Sequence, residues 1–188
     1  MRGASGGAGA ALPLAPELVL SLCALVVLLY VAWRHRDGYD MRTAGAHSIA
    51  GYVFAAAATG WRAWRGAHAD GLTFMIALDV FRFASDALLL WIAGAVTILS
   101  VRWLIRQGIL APEYYPLVML ATVGMMLLAG AADLITLFLG LEVMSISVYI
   151  LSGYDRTRRA SAAAALEYFP IGPFASGCPR SRTALTSL

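Results

Sequence analysis

Apolar residues fall in long blocks separated by short polar breaks, a pattern of membrane spans rather than of a soluble core. The first block, ELVLSLCALVVLLYVAW from Glu17 to Trp33, is closed by Arg34, His35 and Arg36. A helix rises about 1.5 Å per residue and the hydrocarbon core is about 30 Å thick, so roughly 20 apolar residues cross it once. The run is long for a signal-peptide core and no small-x-small cleavage site closes it, so it reads as the first transmembrane helix. An Ala- and Gly-rich second span covers 46–64, with Trp61 and Trp64 at an interface, and a third covers 85–104, with Arg102 and Arg106 reaching toward headgroups. Between them, 65–82 reads as the one longer connection, with Asp79 and Asp86 as boundary residues.

From Tyr114 to Tyr154 the only charges are Asp133 and Glu142. One helix of that length would be about 60 Å long, so the chain turns back once, at Gly130-Ala131-Ala132-Asp133. That predicts helices at 116–130 and 134–152, with Asp133 capping the second. After the polar loop Asp155-Arg156-Thr157-Arg158-Arg159, a sixth helix at 160–176 carries Pro170 and Pro173. The expected class is an all-α membrane protein of five to six transmembrane helices. A flexible N-terminus at 1–16 precedes the helical domain at 17–177, and 178–188 forms an atypical polar tail.

Composition agrees, with 60% hydrophobic and 13% charged residues in 188, which leaves no room for a long soluble domain. All fourteen basic residues are Arg, scattered through short loops, so the expectation is no nucleic acid partner. Counted by alternate sides, they place the N-terminus outside. Cys23 and Cys178 form no CxxC, and His35, His47 and His68 lack ligand spacing, so no metal site is expected.

Glu142 is the residue that carries chemistry. Nine residues after Asp133 and twelve before Tyr154, it sits roughly 13 Å or more from either end of its span. A carboxylate at that depth costs several kcal/mol unless it is paired, protonated or reached by water, which makes it a functional-site candidate. Ser145 and Tyr149 follow at i+3 and i+7 on the same face, placed to support a water chain, and Phe138 and Leu139 keep the preceding turn dry.

The run ATVGMMLLAGAADLITLFLGLEVMSISVYILSGYDR, from Ala121 to Arg156, with AAALEYFPIGPFASG, from Ala163 to Gly177, resembles subunit N of bacterial NADH-quinone oxidoreductase, respiratory complex I. The resemblance implies the N-terminal part of a fourteen-helix, antiporter-like subunit that pumps protons while electrons pass from NADH to quinone. It implies that Glu142 is the proton-relay glutamate of helix five, with a lysine partner on a later helix that this chain lacks. It also implies that this chain binds no cofactor, since FMN, iron–sulfur clusters and quinone belong to other subunits. Its partners would be the lipid bilayer and the other membrane subunits, in the bacterial inner membrane. Glu167 stands where the family usually carries lysine, and the pattern stops after Gly177, as a shifted reading frame or truncated gene would produce. A subunit of a multi-subunit cation/proton antiporter and a non-transporting remnant are the alternative readings.

Overall fold

The computed structural model describes residues 14–34, 41–64, 80–109 and 111–154, and these form five helices. They are α1 (Ala15–Arg34), α2 (Met41–Trp64), α3 (Val80–Gln107), α4 (Tyr114–Ala129) and α5 (Leu134–Ser152). The expected sixth helix at 160–176 and the tail at 178–188 lie outside the described residues. Helices α1, α3 and α5 are each long and apolar enough to cross a membrane. Helix α2 is longer than α1 but carries more polar residues, and α4 has 16 residues, which reach about 24 Å.

The five expected helices that fall on described residues are present, with four starts earlier than the hydropathy blocks. Helix α1 begins at Ala15 rather than Glu17, because Pro16 suits a first turn that needs no N–H. Helix α2 begins at Met41 rather than Ala46, since Met41 and Ala44 are buried with Leu104 and Tyr115. Helix α3 begins at Val80 rather than Ser85 and continues to Gln107, which shortens the expected connection. Helix α4 begins at Tyr114, and Pro116 falls within its first turn. The turn between α4 and α5 lies where the sequence puts it, with Gly130 ending one helix and Asp133 in the N-cap position of the next. Asp133 makes no side-chain capping bond, so it holds the extended N-cap backbone but not the expected hydrogen bond.

Helix α4 is the hub, packed against α1, α2, α3 and α5. Its buried residues Met119, Val123 and Met126 meet Leu20, Ala24, Tyr52, Ala55 and Leu90 in one half of the bundle. Tyr115 joins Val27, Val31 and Leu104 in the other half. The α4–α5 pair is closer than side chains allow. A β-carbon on Gly124 would lie 2.5 Å from the Met144 nitrogen, and one on Gly140 would lie 2.8 Å from the Leu128 nitrogen. These glycines let the two backbones touch, and dispersion between them replaces a hydrophobic drive that lipid does not supply.

Candidate functional site

Helix α5 buries only Gly140 and Ser147 fully, while Ile135 is 69% exposed and Ile146 49%. At 100° per residue, Glu142 shares the outward side with Ile135, Ile146 and Tyr149, and lies roughly opposite Gly140 and Met144, which meet α4. The face that carries Glu142 is therefore turned away from the rest of the described bundle. Glu142, Ser145 and Tyr149 are each half-buried. No hydrogen bond joins them among the described residues, and Glu142 has no ion pair there. Ser147, one residue pair further on, spends its hydroxyl on the Val143 carbonyl at 2.8 Å. The structure thus supports the shared face and the depth of Glu142, about 12 Å from the start of α5, but not a formed hydrogen-bonded chain.

A second group of charges was not visible as a site in the sequence. Glu17 in the first turn of α1, Arg62 in the last turn of α2, and Arg82 and Asp86 in α3 are all nearly inaccessible to solvent. Arg82 donates from Nη2 to Glu17 Oε1. Its Nε lies 3.5 Å from Asp86 Oδ2, and Arg62 Nη2 lies 3.4 Å from the same oxygen. The Arg62 guanidinium also sits 4.9 Å from the centre of the Phe83 ring. Asp86 is therefore no boundary residue: it is fully buried and shared between two arginines.

The arrangement follows from helix ends. Four helix termini converge here: the N-terminal ends of α1 and α3 and the C-terminal ends of α2 and α4. Acids are favoured by the partial positive charge at an N-terminus and arginines by the partial negative charge at a C-terminus. Glu17 stands at the first kind of end and Arg62 at the second, while Asp86, in the second turn of α3, lies beyond that effect and is held by its arginines. Arg82 starts its own helix, yet its guanidinium reaches the C-terminal end of α4, where a β-carbon on Gly130 would lie 2.7 Å from Cζ. The spacing Arg82 to Asp86, one turn apart, was the legible signal.

Elsewhere the chemistry is local. His47 donates from Nδ1 to the Thr43 carbonyl at 2.6 Å and packs on Tyr30, so it serves its own helix. Cys23 is a free, half-buried thiol beside Gly51. His35, His68 and Cys178 lie outside the described residues.

Comparison with known proteins places these helices in context. Residues 131–178 match the transmembrane family described as NADH:quinone oxidoreductase/Mrp antiporter. The NADH-quinone oxidoreductase subunit N 2 of Roseiflexus castenholzii is 46% identical over 134 residues, 69% of this chain and 27% of that protein. The subunit N of Chloroflexus aggregans is 41% identical over 166 residues, 87% of this chain and 33% of its own length. That of Trichlorobacter lovleyi is 35% identical over 173 residues, 86% and 32%. The chain spans about a third of the length of the curated relatives it matches.

Proposed function

Because this chain belongs to the NADH-quinone oxidoreductase subunit N family, we propose that it forms part of the membrane arm of a proton-pumping complex I and supplies one carboxylate of a proton relay, Glu142. The observation that carries the reading is the position of Glu142: deep in α5, half-buried, without an ion pair among the described residues, and on the face turned away from α4. The relay pairs this carboxyl group with a cation. The cation is supplied from outside α1 to α5, by a later helix of the whole subunit. Ser145 and Tyr149 on the same face hold water that carries the proton to and from the carboxyl group.

In this reading the chain takes no part in electron transfer and binds no redox group itself; FMN, iron–sulfur clusters and quinone belong to its partner subunits. It sits in the bacterial inner membrane with the start of α1 outside, in line with the distribution of arginine among the loops. The test uses the complete subunit in the assembled complex. Glu142→Ala lowers NADH-driven proton uptake at equal assembly, and Glu142→Asp retains part of it. Wild-type uptake in the alanine variant would remove Glu142 from the relay.

A further inference from the structure

We infer that Glu17, Arg62, Arg82 and Asp86 form an ionic clasp that positions the α4–α5 turn, and through it Glu142, with Arg82 as the positioning residue. The inference rests on the reading of Glu142 as a relay carboxylate. Its first ground is connectivity: the four charges come from three helices, and two pairs share one oxygen, Asp86 Oδ2. A network of this kind holds α1, α2 and α3 in one register, because displacing α1 or α2 breaks an ion pair between groups that are nearly inaccessible to solvent.

The second ground is the contact between Arg82 and Gly130. The guanidinium lies flat against the residue that ends α4, so close that a β-carbon would overlap both Cζ and Nη1 at 2.7 Å. Position 130 is therefore set by the clasp rather than by the turn alone. The third ground is the backbone contact of Gly124 with Met144 and of Gly140 with Leu128, which makes α4 and α5 move as one body. Helix α5 has α4 as its main neighbour, so the orientation of its outward face follows from where the clasp holds the end of α4. Just over two turns separate the start of α5 from Glu142, and a rigid helix transmits a tilt at one end to that depth.

Polar satisfaction supplies a further constraint. Glu17 Oε2 and Asp86 Oδ1 are buried and accept no hydrogen bond among the described residues. Each carboxylate is thus held through one oxygen, and the clasp depends on the orientation of Arg82 more than on a saturated set of bonds. Lysine at 82 keeps the charge but loses the planar fork that meets Glu17, Asp86 and Gly130 together.

The experiment compares four variants of the complete subunit in the assembled complex: Arg82→Leu, Glu142→Gln, the two combined, and Gly130→Ala. The readout is the ratio of NADH-driven proton uptake to NADH oxidation in membrane vesicles, at matched subunit content, across pH. Arg82→Leu is expected to lower the ratio by roughly twofold or more and to displace its pH profile. In the Glu142→Gln background it is expected to lower the ratio no further, since Arg82 acts through Glu142. A wild-type ratio in Arg82→Leu, with Glu142→Gln defective, overturns the clasp and leaves the relay reading intact. A wild-type ratio in Glu142→Gln instead overturns the relay reading, and the clasp with it. Where Arg82→Leu fails to assemble, Gly130→Ala decides: it crowds the guanidinium without removing a charge. A lowered ratio in Gly130→Ala, with no added fall when it is combined with Glu142→Gln, supports the clasp, and an unchanged ratio, or an added fall in that background, overturns it.

Discussion

Asp86 and Glu142 are both carboxylates within apolar helices, yet the structure treats them in opposite ways. Asp86 is fully buried, about 9 Å into α3, with Arg62 and Arg82 within 3.5 Å of the same oxygen. Glu142 is half-buried in α5, faces away from α4 and has no ion pair among the described residues. A charge whose counter-charge comes from neighbouring helices of the same bundle is committed to holding them together. A charge in mid-span without one among the described residues is available for a partner elsewhere, which is what the proposed relay needs. A carboxylate in an apolar helix is therefore not by itself a relay candidate; the location of its partner decides.

The comparison is broken most directly by removing one member of each set. Arg82→Leu leaves Glu17 buried without its arginine and is expected to destabilise the subunit by about 3–5 kcal/mol. Thermal denaturation of the purified complex in detergent, followed by retention of the subunit, measures the loss. Glu142→Ala in the same assay is expected to change stability far less, because no arginine is left behind. Equal losses in the two would erase the distinction between structural and functional carboxylates.

Replacing all four clasp residues with apolar ones of similar volume sharpens the point. Burying ions costs several kcal/mol each in desolvation, so the apolar set is expected to recover most of the stability that one deletion removes. The same denaturation assay reads it, and stability as low as in Arg82→Leu would show that the cluster is more than charge balance. Gly124→Ala is expected to cost about 1–3 kcal/mol, since its β-carbon must push the Met144 backbone. The smallest effect belongs to Asp133→Ala. The N-cap side chain makes no bond, so its loss is expected to cost under about 0.5 kcal/mol in the denaturation assay.

Much of the architecture was legible because membrane spans are written in hydropathy. The turn at Gly130 and the identity of all five described helices followed from block length against membrane thickness. The starts of α2 and α3 did not, because packing fixes them: Met41 is buried among residues distant in sequence, and Arg82 is drawn into a helix by partners on α1 and α3. Arg82 falls at the end of the stretch that reads as a connection, 65–82, until Glu17, 65 residues earlier in the chain, is brought beside it. Asp86 looked like a boundary residue for the same reason.

The site was legible in part. The depth of Glu142 and its shared face with Tyr149 come from helix geometry, which a sequence encodes directly. That this face points away from α4 required the positions of Gly124 and Gly140, whose close approach decides which side of α5 turns inward. Single glycines in helices as uniformly apolar as α4 and α5 carry no visible sign of which one meets another backbone.

Glu142, and not the ion-paired Asp86, is the carboxylate proposed to carry the proton. The measurement that tests it most directly is proton uptake per NADH oxidised in vesicles holding the complete complex with Glu142→Gln, which keeps the shape of the side chain and removes its charge. The account predicts a clear fall in that ratio at unchanged subunit content and thermal stability. A ratio equal to that of the wild type would contradict it.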